Sequence, residues 1–244
     1  MRDVCGRYGY ESPEFTETRF QAQLLPDVPP EILVPRYNIA PTQPVLTVAA
    51  SKRLGGRRGV KSMVWGLTPG WALRDRSKPR SINIKTEGIL DRPTYRHLLL
   101  HNRCAIPADG FYEWQHLNGK TGQPYSIGLR GGEPFAFAGI WTATKDERDE
   151  WLVSCAILTT GPNELVAQLH DRQPVILTPE QEQTWLDAEV KDARELVPIL
   201  ARLDASGMEL FAVPRLVNSA ANEGPSLRAR APEALQAPLL SLPS

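Results

Sequence analysis

Cysteine is scarce in this sequence: Cys5, Cys104 and Cys155 are the only ones among 244 residues, and no two form a C-x-x-C pair. An odd count without paired spacing argues against a disulfide framework and a zinc site, and suits a reducing, cytoplasmic setting. A basic surplus is also lacking, because Lys plus Arg and Asp plus Glu number 28 each. Coating nucleic acid by bulk charge is therefore excluded, and any DNA contact must come from a local patch. No apolar run approaches the roughly 18 residues of a membrane span. Charges are scattered through the first thirty residues, so neither a spanning helix nor a signal peptide is expected.

What is present is an ordinary globular balance, 41% apolar and 23% charged, enough to bury one sizeable core. Short segments rich in Val, Ile, Phe or Trp recur at 45–50, 61–67, 103–107, 124–129, 134–141, 151–159 and 174–177, and read as strands. Thr178-Pro179-Glu180-Gln181 carries an N-cap, a first-turn proline and a capping box, predicting a helix to about Glu189. Helical spacing also predicts helices over 14–24, 94–100 and 163–170. The stretch 53–59 reads as a hairpin tip and 225–244 as a loosely held tail. The 22 prolines punctuate the junctions, no repeat is present, and no linker divides the chain.

Several residues carry chemistry. A cysteine at the start of a chain presents an amine and a thiol on adjacent carbons, and the pair condenses with an aldehyde through a Schiff base to close a thiazolidine ring. An α-amine titrates near 8, against about 10.4 for lysine, so a useful fraction is nucleophilic at neutral pH. Cys5 meets that description only without Met1-Arg2-Asp3-Val4; the expectation is that Val4 is the initiator or that the leader is removed. A small buried thiol is the plainer alternative. Glu113, set between aromatic residues in Phe111-Tyr112-Glu113-Trp114, fits a general acid or base raised by apolar neighbours, or a salt-bridged strand end. His170, before Asp171-Arg172-Gln173-Pro174, fits a proton shuttle or a helix-capping histidine. His97, His101 and His116 are assigned to the surface. Arg74, Arg76, Lys78, Arg80 and Lys85, downstream of Trp65 and Trp71, are the composition that single-stranded nucleic acid needs, although a solvated loop and core tryptophans explain the run equally.

Taken in order, Cys5-Gly6-Arg7-Tyr8, Arg36-Tyr37-Asn38-Ile39-Ala40-Pro41, Trp65-Gly66-Leu67, Pro69-Gly70-Trp71, Ile82-Asn83, Ala108-Asp109-Gly110 through Trp114, His170 through Val175, and Val217-Asn218 with Asn222 resemble the SOS-response-associated peptidase (SRAP) family. The resemblance runs from Cys5 to about Gly224 and implies one α+β domain over 5–224, with a twisted, barrel-like, mostly antiparallel β body, flanking helices and a shallow positively charged cleft. It implies an abasic-site sensor of single-stranded DNA that forms a covalent crosslink, removes its own leader and has weak lyase activity. Carried over, Cys5 is the nucleophile, Asn83 positions its amino end, Glu113 serves acid/base steps and His170 assists at the sugar. Arg7 and Arg172 would hold phosphates, with Lys85 beside them, while Asn38, Pro41 and Trp71 support the strand where bases unstack. No metal or cofactor and no membrane contact is expected, and the chain is expected to be a monomer. The family usually reads Asn-Ala-Arg where this chain has Asn83-Ile84-Lys85, which turns a bidentate phosphate fork into a point charge. Two other readings stay open: a cysteine peptidase acting on other proteins, and a non-covalent module for damaged or modified DNA.

Overall fold

A computed structural model of the chain describes residues 5–51, 54–73, 80–117, 120–146 and 148–232. The strands, in chain order, are β1 (Tyr8–Tyr10), β2 (Gln23–Leu24), β3 (Arg36–Ile39), β4 (Pro44–Ala50), β5 (Arg58–Trp65), β6 (Asn83–Lys85) and β7 (Arg103–Ala108). They continue with β8 (Gly110–Leu117), β9 (Lys120–Leu129), β10 (Phe135–Lys145), β11 (Trp151–Thr160), β12 (Gln173–Pro174), β13 (Ile176–Leu177) and β14 (Met208–Ala212). Strands β5, β4, β7, β10 and β11 are neighbours in that order, and a parallel pairing of β11 with β5, Cys155 opposite Trp65, closes them into a barrel. Register places Met63, Trp65, Cys104, Ile106, Phe137, Cys155 and Ile157 on the same, inner face, and all are buried. Gly139 is required there: a Cβ would lie 2.9 Å from Cys104 Sγ and from Ile106 Cδ1.

A second sheet, β14-β9-β8-β1-β3, packs on the barrel through aromatic edges. Tyr8 meets Trp65 at 5.3 Å and Phe137 at 5.6 Å between ring centroids, and Phe111 meets Phe137 at 6.1 Å. Alternation along β8 sends Phe111 and Glu113 to this interface, while Tyr112 and Trp114 join Val213 and Val217 on the other face. The architecture is the expected α+β body with a mostly antiparallel barrel.

The helices are short. α1 (Thr16–Phe20) occupies less than the 14–24 expected, because Gln21 turns left-handed at its end. α2 is Gly70–Leu73 and α3 is Pro93–His101. α4 (Pro179–Leu186) has the capping box predicted from Thr178 and Gln181, and stops three residues before Glu189; α5 is Ala193–Leu196. The helix expected over 163–170 is reduced to one tight turn at Val166–Gln168: Asn163 Oδ1 caps its start by accepting from the Leu165 and Val166 amides, but the backbone leaves helical angles at Leu169, φ −120°. The hairpin tip expected at 53–59 joins β4 to β5, with residues 52 and 53 outside the described residues. The tail is not loose where it is described. Leu227 and Ala231 are buried, and the Arg228 guanidinium grips Glu11 and the Asp109 carbonyl, so packing continues to Ala231. Among the described residues, no helix is long and apolar enough to cross a membrane.

Candidate active site

Because Tyr8 is in register with Phe111 and Tyr112 N–H donates to Arg7 O, the chain before β1 runs antiparallel along β8 and delivers Cys5 to Glu113. The Cys5 nitrogen donates to Glu113 Oε1 at 2.6 Å. Cys5 adopts φ 51°, a left-handed conformation that costs a non-glycine residue roughly 1 kcal/mol or more and is kept by the packing around it. Glu113 is 4% exposed, and burial pushes its carboxyl up to about 8, although amide donors from Cys5 and Trp114 pull the other way. Burial, then Glu113, push the Cys5 thiol up as well. At neutral pH the pair is therefore a thiol beside a carboxylic acid with its proton available.

Glu113 is in register with Tyr125 on β9. Leu169, which directly precedes His170, packs against the cluster that contains Tyr125 and against the main core. The imidazole is nearly buried; its Nδ1 lies 3.1 Å from Arg172 N and 3.0 Å from Asp171 Oδ1. With Nδ1 accepting the amide proton, Nε2 is the protonated nitrogen of the neutral ring, and a second proton on Nδ1 is met by Asp171. Asn83 lies half-buried on β6, which runs beside β11 with Asn83 opposite Ile157. The preceding carbonyl, Ile82 O, accepts from Trp65 Nε1 at 3.0 Å, and Trp65 packs on Tyr8 three residues after Cys5. Trp65 is completely buried, so it is a core residue and not a stacking surface for bases.

The residues expected to touch DNA divide into two groups. Arg7 donates to Asn38 Oδ1 and Val217 O, both at 2.9 Å, and Asn38 Nδ2 donates to the carbonyls of Val217, Ser219 and Asn222. Asn38 is 0% exposed, so its side chain pins the 217–222 segment under β3 and does not face a ligand. Pro41 stands at the β3–β4 turn, where Thr42 N donates to Trp65 O. Lys85 is exposed on β6, in register with Thr159. Arg172 reaches the same Thr159, bonding its carbonyl, and donates to Glu87 Oε1 at 2.6 Å. Trp71 is the second residue of α2, its side chain outside the description, and Arg74, Arg76 and Lys78 lie outside the described residues. Arg80 is exposed just beyond them, and His97 and His101 are exposed on α3; the His116 side chain is outside the description. Glu87 and Tyr125 escaped the sequence reading. Glu87, two residues after Lys85, carried the signal of an acid beside a basic strand, whereas Tyr125 is reached only through strand pairing. Among the described residues, no cluster of three His, Cys, Asp or Glu side chains could hold a metal.

Fold and site define a class: an α+β protein that sets a cysteine's nitrogen and thiol against a buried carboxylic acid. The chain belongs to the SOS response associated peptidase (SRAP) family, which it matches over residues 4–220. It is 39% identical to the abasic site processing protein YoqW of Bacillus subtilis over 227 residues, covering 92% of this chain and 98% of that protein. To the abasic site processing protein YedK of Escherichia coli it is 28% identical over 231 residues, 92% of this chain and 98% of that one. To the abasic site processing protein HMCES of Gallus gallus it is 28% identical over 220 residues, 78% of this chain and 65% of that one. A solved structure from Bacteroides thetaiotaomicron shares the fold with a TM-score of 0.80 at 23% identity, covering 93% of this chain and all of the other. A phage-related protein of Bordetella bronchiseptica aligns at 27% identity with a TM-score of 0.66, covering 86% of this chain and 94% of its own.

Proposed function

We propose that this chain processes abasic sites in DNA, capturing the ring-opened sugar aldehyde of a single strand covalently on Cys5. The observation that carries the reading is the 2.6 Å contact between the Cys5 nitrogen and Glu113 Oε1, in a chain whose relatives are abasic site processing proteins. On a chain processed to begin at Cys5, that nitrogen is an α-amine. It attacks the aldehyde carbon to form a carbinolamine, and Glu113 gives its proton to the departing hydroxyl, so that water leaves and a Schiff base remains. The Cys5 sulfur then adds to the imine carbon while its proton passes to nitrogen, closing the thiazolidine. His170, through Nε2–H, assists opening of the sugar, and Lys85 and Arg172 meet its phosphates. Removal of a proton from the sugar carbon next to the Schiff base gives β-elimination instead, a weak lyase reaction.

The same pair supports self-processing. The Cys5 thiol adds to the carbonyl of residue 4 and Glu113 protonates the leaving nitrogen, which frees the α-amine; water then hydrolyses the resulting thioester, releasing the leader as a carboxylic acid and restoring the thiol. Asn83 would position that amine. The protein acts as a monomer in the cytoplasm in this reading.

The test is a single-stranded oligonucleotide with one abasic site, incubated with protein of verified intact mass and run on a denaturing gel. A heat-stable shifted band that Cys5→Ala abolishes supports covalent capture. A shift on a native gel that salt abolishes, with none on the denaturing gel, would instead mean binding without a covalent bond, and turnover of unrelated peptides would favour a peptidase acting in trans.

A further inference from the structure

Beside Arg172 lies a cavity of about 460 Å³ that the capture chemistry does not use, lined by Thr86, Glu87, Ile89, Asp91, Val197 and Leu200 among others. It begins where the two cations end. Lys85 and Arg172 converge on Thr159, and Thr86 and Glu87 follow Lys85 directly into the cavity wall, with Glu87 bonded to Arg172. A phosphate at that cation pair therefore leaves its nucleotide's base within reach of the cavity. The walls suit a base and not a second phosphate. Val197, left 42% exposed, gives the cavity an aliphatic surface for a flat apolar face, with Ile89 and Leu200 buried behind it. The polar side chains are two carboxylates, which repel phosphate, and the threonines Thr86 and Thr160. The Glu87 carboxyl is held below its ordinary range by the Arg172 hydrogen bond, so it is ionised at neutral pH and only accepts hydrogen bonds.

We propose that this cavity is a nucleobase subsite for the nucleotide adjoining the abasic site, and that Glu87 makes it prefer guanine. Guanine alone offers adjacent N1–H and N2–H donors to match a carboxylate; cytosine and adenine bring one amino group, and thymine only an imino hydrogen. The proposal rests on the abasic-site reading above and supplies a sequence-context preference that the reading lacks.

The experiment measures capture rates on oligonucleotides carrying G, A, C, T or a second abasic residue on each side of the abasic site. Wild-type protein is expected to capture the guanine-flanked strand about ten-fold faster than the thymine-flanked one, the discrimination typical of one bidentate base contact. Ala201 also lines the cavity; Ala201→Phe, which fills it, and Glu87→Ala, which removes the acceptor, should each flatten the preference, with Ala201→Phe leaving capture beside a second abasic residue unchanged. Equal wild-type rates on all strands, or a guanine preference that survives Ala201→Phe, would overturn the subsite while leaving covalent capture standing. If no strand is captured, the functional reading fails. The subsite is then read by methyl NMR of Ile89, Val197 and Leu200: shifts with dGMP and not with TMP support it, and none with either overturn it.

Discussion

Cys5 and Glu113, 108 residues apart in sequence, are joined by a 2.6 Å contact from the backbone nitrogen of one to the carboxyl oxygen of the other. The contact is held on both sides. Register between β1 and β8 fixes the path of the chain, and burial keeps the carboxyl protonated up to about pH 8. An acid of that strength is poised to give and take protons at neutral pH.

Glu113→Gln should slow covalent capture roughly 10²–10⁴-fold, the usual worth of a general acid or base. It should also change the pH dependence of stability. The folded carboxyl titrates at about 8 against an ordinary 4.5, so the folded state retains a proton that the unfolded chain releases. Its stabilising contribution is complete below pH 4.5 and is lost as pH rises through 8. Thermal melts from pH 4 to 9 should show wild type losing stability across that window and the variant much less; parallel curves would place the titration elsewhere.

Asn38→Ala should act on the fold before it acts on DNA. Its amide serves three carbonyls and accepts from Arg7, so its removal leaves buried acceptors unpaired and should cost about 2–4 kcal/mol in urea unfolding. A variant that melts like wild type but no longer binds single strands would make Asn38 a ligand contact.

Gly139→Ala tests the barrel interior. The added methyl meets Cys104 Sγ and Ile106 Cδ1 at 2.9 Å and Ala156 O at 3.1 Å, an overpacking expected to cost about 1–3 kcal/mol. Adding Cys104→Ala removes one of the clashing atoms, so the double variant should be more stable than the sum of the two single effects predicts. Strict additivity in chemical denaturation would mean that the barrel relaxes around the methyl without using the Cys104 space.

Lys85→Arg should tighten non-covalent binding of single strands, measured on a Cys5→Ala background, by about three-fold through a bidentate phosphate contact. The salt slope should not move, because the number of charges is unchanged. A steeper slope would mean that the longer side chain reaches a second phosphate.

Much of the body was legible in the residues themselves. Strand positions follow from runs of β-branched and aromatic residues, and the α4 cap follows from Thr178 and Gln181, because these signals are local. The helix expected over 163–170 is only a turn: the spacing was helical and Asn163 caps the start, but the backbone departs from helical angles at Leu169. The packed segment 225–232 failed for a non-local reason, since the charge that holds Arg228 is 217 residues away on Glu11.

For the site, sequence alone nominated the candidates: a cysteine near the start of the chain, a glutamate among aromatics, a histidine before Asp-Arg and, through the family resemblance, Asn83. Their grouping was a matter of tertiary structure. Pairing of β1 with β8 brings Cys5 to Glu113, and the sheet interface removes the water that would leave the carboxyl an ordinary acid. Tertiary structure also separated residues that composition treats alike. Arg7 spends its donors on the 217–218 carbonyls, whereas Lys85 stays in solvent, because one lies under a loop and the other at a sheet edge.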